Sequence, residues 1–111
     1  MLERMNEHEI QKAIVQYLAL KNLCYFAVPN GGHRHIVVAS KLKAEGVRSG
    51  VPDIALIHQG HYYGIEVKTL KGRLSDSQKT MIQLIHDKGG LVGVVRSVKD
   101  TINLLKEWKI A

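Results

Sequence analysis

Cys24 is the only cysteine in the 111 residues. One thiol cannot close an intramolecular disulfide, and without a second cysteine there is no Cys-x-x-Cys zinc or redox motif. Cys24 falls in an apolar run and is expected to be a small buried hydrophobe. The six histidines include no His-x-x-x-His spacing with an accompanying glutamate, which removes the zinc-helix class. His33 and His35 are left as contacts to a phosphate backbone. No apolar stretch approaches the ~20 residues that span a bilayer, so no membrane partner is expected. Met1-Leu2-Glu3-Arg4-Met5-Asn6-Glu7 holds no apolar signal core, and the chain is expected to be cytoplasmic. Internal repeats and low-complexity tracts are missing as well.

The composition is that of a folded domain, 45% hydrophobic and 23% charged. Residues 1–111 are long enough for one domain and one core. The formal net charge is +6. That excess suits a polyanionic partner, since neutralised phosphates release counterions; it also suits simple solubility.

Ile10, Ala13, Ile14, Tyr17 and Leu18 form a helical apolar stripe, with Asn6 and Glu9 at capping-box spacing before it. Leu23 to Val28 predicts a short strand ended by Pro29 and Asn30-Gly31-Gly32. Ile36 to Glu45 is ambiguous and leans towards a helix closed by Gly46. Ile54 to Ile57 and Tyr62 to Lys68 predict two strands around a hairpin turn. A basic loop follows from Thr69 to Leu74. Ser75 and Gln78 have capping-box spacing for a helix over Asp76 to Lys88, which Gly89 and Gly90 end. Leu91 to Val95 predicts a strand. Ser97 opens a last helix with Val98, Ile102, Leu105 and Trp108 on its apolar side. Helices interleaved with a mixed sheet define an α/β domain.

The chemistry lies in Gly50-Val51-Pro52-Asp53 and Ile65-Glu66-Val67-Lys68. A two-residue turn at Gln59-Gly60 pairs residues symmetrically about itself, so Asp53 faces Glu66 with Cβ atoms about 5 Å apart. Two opposed carboxylates repel; a hard divalent cation such as Mg²⁺ relieves the repulsion. Side chains alternate along a strand, so Lys68 shares the face of Glu66, and Ile54, Leu56, Ile65 and Val67 form the opposite, core face. Ala55 and Gly64 are expected to leave room for a metal and a phosphate. A metal held by Asp53 and Glu66 can polarise a phosphoryl oxygen and activate water, while Lys68 can stabilise developing charge. The competing reading makes Glu66 and Lys68 an exposed charge pair and Asp53 a turn residue.

Pro52-Asp53 followed by Glu66-x-Lys68 resembles the PD-(D/E)xK nuclease signature. With Gly46-Val47-Arg48-Ser49-Gly50 before it, Glu9 upstream and Gln78 downstream, the chain resembles the VRR-NUC (virus-type replication-repair nuclease) family. The resemblance implies a restriction-endonuclease-like fold with a mixed central sheet flanked by helices. It implies Asp53 and Glu66 as metal ligands together with the Val67 backbone carbonyl, Lys68 as catalytic lysine, and Glu9 and Gln78 as further residues of the catalytic site, with Glu9 able to face the metal directly or through water. It further implies Mg²⁺ or Mn²⁺ as cofactor and a bacterial or phage-infected cell as the setting. Short members of the family look like phage-encoded homodimers acting on branched DNA, especially four-way junctions.

Glu9 and Gln78 can each be read as a cap residue instead. Gln78 shares a helical face with Ile82 and Ile85, so its amide needs an inward partner. Arg34, Lys41, Lys43 and Arg48 form one basic cluster and Lys71, Arg73 and Lys79 another. Arg34, Arg48, Lys71, Arg73 and Lys79 are the candidate DNA contacts. The rival to a nuclease is a DNA-binding module that keeps the fold without catalysis. A sequence-specific restriction enzyme fits less well, because little length remains for reading bases.

Overall fold

The computed structural model describes residues 5–29 and 36–111. Asn6 starts the first helix, α1 (Glu7–Leu20), through a capping box: its side chain accepts the Glu9 N–H, and the Glu9 carboxylate accepts the Asn6 N–H. Both bonds satisfy amides that the first turn leaves without helical partners. The strand β1 (Cys24–Ala27), the helix α2 (Ile36–Ala44) and the strands β2 (Ile54–His58) and β3 (His61–Val67) follow. Then come α3 (Asp76–Asp87), β4 (Leu91–Val95) and α4 (Val98–Glu107). The ambiguous segment before Gly46 is a helix, and Gly46 leaves it with φ +101°.

The sheet order is β1-β2-β3-β4, with β1–β2 and β2–β3 antiparallel and β3–β4 parallel. His58 pairs with His61, so the hairpin turn is Gln59-Gly60, and both residues take positive φ (51° and 79°). Two positive-φ residues suit the right-handed twist of the flanking strands. Parallel pairing of β3 and β4 requires a crossover, which α3 supplies.

Tyr25, Ala27, Ile54, Leu56, Ile65, Val67 and Val95 share one face of the sheet by register. Ile10, Ile14 and Leu18 of α1 and Leu105 of α4 pack there with Ile54, Leu56, Ile65, Val67 and Val95 into one core. Each aliphatic side chain so buried contributes about 1.5–3 kcal/mol. Gly93 belongs to the same arrangement, since a Cβ there would collide with the Leu104 side chain of α4. Thr101 is buried too, and its hydroxyl donates to the Ser97 carbonyl at 3.0 Å.

Cys24 is exposed, contrary to its apolar sequence context. It lies on an edge strand and, with Phe26, Ile57 and Ala55, faces away from the core. Apolar neighbours in sequence do not bury a residue whose face of the sheet lies opposite the core.

Gly50 ties the loop before β2 to the start of α3. It is buried, has φ +83°, and a Cβ on it would run into the Ser77 carbonyl and the Gln78 amide nitrogen. Gly50→Ala is therefore expected to lower stability by more than about 2 kcal/mol, combining backbone strain with a clash against main chain that cannot rotate away. Urea unfolding measures it, and an unchanged midpoint would contradict this packing.

Candidate active site

The hairpin register, continued one residue beyond the strands, sets Asp53 opposite Glu66. The Val28 N–H donates to the Asp53 carbonyl at 2.8 Å, which extends β1–β2 pairing to the same residue. The Asp53 carboxylate then reaches across to β3, where its Oδ2 accepts the Val67 N–H at 2.7 Å. Asp53 is thus held from both sides, by its main chain and by its side chain. A freely rotating turn carboxylate would have neither constraint.

Val67 points into the core, so Glu66 and Lys68 project from the other face of β3. They are buried nonetheless, at 1% and 8% exposure, which rules out an exposed charge pair. The Gln78 side chain of α3 donates from Nε2 to Glu66 Oε2 at 2.9 Å. Its other end, Oε1, accepts the Ser75 N–H at 2.8 Å and completes the α3 capping box. One amide thus caps the helix and also binds the Glu66 carboxylate.

The remaining oxygen, Glu66 Oε1, is sealed from solvent and has no hydrogen-bond partner. Burial pushes the Glu66 carboxyl up to about 8 from 4.5. The Asp53 charge acts in the same direction, as does the Asp53 carboxylate's ability to accept a hydrogen bond from Glu66 once Glu66 is protonated; Lys68 opposes them, and Glu7 adds to the rise. Tyr62, on the same face of β3, has its phenol held above the usual range by burial and then by the Glu66 charge. Tyr62 carries no motif that would single it out in sequence; only the even spacing to Gly64 and Glu66 places it on that face.

A buried, partnerless carboxylate oxygen beside a second carboxylate fits a divalent cation. Among the described residues no group of three or more His, Cys, Asp or Glu side chains converges for a metal. A cation here would draw its donors from the Asp53–Glu66 pair, main chain and water, a set compatible with Mg²⁺, which keeps several waters.

Glu9 is exposed and engaged with the Asn6 amide. The charge of α1 that registers at Glu66 is that of Glu7. Arg48, Lys71, Arg73 and Lys79 are exposed, while Arg34, His33 and His35 lie outside the described residues. The room expected over Gly64 is taken: a Cβ there would lie 2.7 Å from Pro52 Cγ and 3.0 Å from the Tyr62 hydroxyl. The small residue admits the Pro52 ring, which seats Asp53. Beside this segment a cleft of about 290 Å³ opens between Val28, Val51, Met81 and Arg48.

The Glu66 environment makes stability depend on pH. Folded Glu66 holds its proton more tightly than a solvated carboxyl, so its contribution is fully present below about pH 4.5 and is lost as pH rises to about 8. In EDTA, melting temperatures between pH 5 and 8 are expected to fall for the wild type relative to Glu66→Gln, whose amide does not titrate. A constant difference across that window would show an ordinary carboxyl.

A mixed four-stranded sheet with helices packed against it, and an Asp–Glu–Lys cluster on the strands of its hairpin, defines a restriction-endonuclease-like α/β fold. Residues 5–99 match the VRR-NUC domain model, and the chain belongs to that nuclease family. It is similar to a solved "VRR_NUC domain protein" at 20% identity, with a TM-score of 0.77 over 96% of this chain and 91% of the other. A second structure, "VRR_NUC domain", gives 22% identity and a TM-score of 0.64 over 91% and 94%. No curated protein matches the chain. No helix among the described residues is long and apolar enough to cross a membrane.

Proposed function

We propose that this chain is a metal-dependent endodeoxyribonuclease that hydrolyses phosphodiester bonds in branched DNA, such as four-way junctions, as a homodimer. The observation that carries the metal and the chemistry is the sealed, partnerless Glu66 Oε1 beside Asp53, with buried Lys68 on the same face. A pure DNA binder gains nothing from opposed carboxylates placed where phosphate approaches.

Asp53 and Glu66, with the Val67 carbonyl, would hold the Mg²⁺ or Mn²⁺. The ion supplies Lewis-acid polarisation of a phosphoryl oxygen and a bound water of lowered pKa. The protein's own groups do the positioning. The Gln78 amide fixes one oxygen of Glu66, and the Val67 N–H fixes one oxygen of Asp53. Lys68 presents its ammonium on the face of Glu66 and stabilises charge that develops on the phosphoryl group. Exposed Arg48, Lys71, Arg73 and Lys79 neutralise neighbouring phosphates, in keeping with the net charge of +6.

The dimer and the branched substrate belong together, since a two-fold axis relates two active sites as the arms of a junction are related. Phe26 and Ile57, exposed on the face of β1 and β2 away from the core, offer apolar surface for a second copy. The test is a cleavage panel of four-way junction, flap, splayed arm and plain duplex with Mg²⁺, Mn²⁺ or EDTA. The junction is expected to be cut fastest, by paired symmetric incisions, and EDTA to stop all cutting. Cleavage in EDTA would remove the metal, and equal rates on plain duplex would remove the selectivity. Light scattering should give about twice the 12.4 kDa chain mass; a monomer making paired cuts would refute the symmetry argument.

A further inference from the structure

We propose that Arg96 is a positioning residue that shapes the Thr69–Arg73 loop, so that Lys68, Lys71 and Arg73 address one phosphate backbone together; this rests on the nuclease reading above. Arg96 follows β4 directly, and neither the signature motif nor the basic clusters include it. Arg96 is half-buried, and one end of its guanidinium is turned onto main chain. Nη1 donates to the carbonyls of Thr69, of Gly72 at 2.7 Å and of Leu70 at 3.3 Å. Three carbonyls of one short loop thus converge on a single cationic nitrogen. Charge-assisted bonds of this kind are roughly twice as strong as neutral ones.

Arg96 is itself anchored. Its N–H donates to Asp100 Oδ2 at 2.9 Å, and the Asp100 N–H donates to Ser97 Oγ at 3.0 Å, which is the N-cap of α4. One residue earlier, the Val95 carbonyl accepts the Lys68 N–H at 2.9 Å. The end of β4 therefore holds the main chain of Lys68 with one residue and the loop after it with the next. The loop closes on itself through Gly72 N–H to the Thr69 carbonyl at 3.1 Å. It also lies over the lysine stem, since a Cβ on Gly72 would be 3.5 Å from Lys68 Cδ. Curvature set by Arg96 is transmitted both to the Lys68 side chain and to the exposed Lys71 and Arg73.

A loop of this length could order its basic residues without help only by losing backbone entropy at each position. Arg96 removes that requirement on binding, because the three carbonyls are already fixed before a phosphate arrives. Its positive charge also offsets the carbonyl dipoles that the loop turns inward. Nη1 is thereby committed to protein, and the proposed effect on DNA runs through Lys71 and Arg73.

The experiment has two arms, with Arg96→Gln and, as a milder variant, Arg96→Lys, whose ammonium keeps three donors on a shorter stem. Without DNA, trypsin cleavage after Lys71 and Arg73 is expected to accelerate about tenfold in Arg96→Gln and less in Arg96→Lys. With DNA, binding isotherms across a salt series are taken for Arg96→Gln alone, for Lys71→Ala/Arg73→Ala, and for the triple variant. Arg96→Gln should flatten the salt dependence by about one to two units of slope, yet add little once Lys71 and Arg73 are gone. Its single-turnover rate at saturating enzyme should also fall, through Lys68. Unchanged trypsin rates in both variants would overturn the clamp. Additive losses in the triple variant would overturn the coupling and make Arg96 a DNA contact or a general stabiliser. The protease arm needs no substrate, so a chain that cut no DNA would sink the nuclease reading and leave the clamp judged separately.

Discussion

Asp53→Asn and Glu66→Gln are each expected to abolish cleavage while DNA binding is kept or strengthened. Asp53→Asn removes a carboxylate charge that both holds the metal and repels phosphate, and Glu66→Gln removes the carboxyl that must ionise to bind the metal. Glu66→Gln keeps an oxygen for the Gln78 Nε2–H, which 2.9 Å geometry places on Glu66 Oε2, so the fold should survive. Asp53→Asn keeps an oxygen for the Val67 N–H in the same way. Calorimetric titration with Mn²⁺ checks the metal directly. Thermal melts provide a second readout: a hundredfold excess of metal over its Kd stabilises the wild type by about 2.7 kcal/mol and should leave the variants unmoved. Undiminished metal affinity and activity in both variants would refute the assignment.

Lys68→Met is expected to depress the chemical step by about two orders of magnitude or more, with DNA affinity almost unchanged. Lys68 is 8% exposed and shares its face with Glu66, so its ammonium acts in a site with little water. Electrostatic stabilisers in such sites are worth on the order of 3 kcal/mol. Methionine keeps the unbranched stem beneath Gly72 and removes the charge. The exposed cations should behave in the opposite sense. Lys71→Ala or Arg73→Ala should weaken binding and lower the salt dependence by roughly one unit per lost phosphate contact, with the rate at saturation less affected. Single-turnover rates under saturating enzyme separate the two kinds of residue. Wild-type cleavage by Lys68→Met would make it a surface cation and end the proposed mechanism.

Much of this site is legible before any tertiary structure. The Asp53–Glu66 opposition follows from one turn and a two-residue period, both local: Gln59-Gly60 sets the register and alternation does the rest. The caps at Asn6, Ser75 and Ser97 are legible for the same reason, since a side chain three residues from an amide needs no distant partner. Reading fails where a second element decides the outcome. Glu9 and Glu7 sit on one helical turn, and only the docking of α1 selects Glu7 as the carboxylate felt at Glu66. Gly64 reads as empty space, yet the Pro52 ring fills it. Arg96 carries no motif at all, because three carbonyls 24 to 27 residues away leave no pattern in a chain of side-chain types.

By itself, then, the sequence determined the order of helices and strands, the hairpin register, the core face, and the chemical character of the Asp53–Glu66–Lys68 face. Each rests on periodicity or on contacts within a few residues, where covalent geometry limits the choices. The tertiary structure alone decided how deeply that face is buried. The crossover through α3 brings Gln78 onto Glu66 Oε2, while burial in the folded chain seals Oε1 and raises the carboxyl. The end of β4 brings Arg96 under the loop that follows Lys68. Cys24, in an equally apolar stretch, stays exposed because the strand carrying it forms the sheet edge and it faces away from the core. Burial is a property of what packs from elsewhere in the chain, and neighbouring residue types do not encode it.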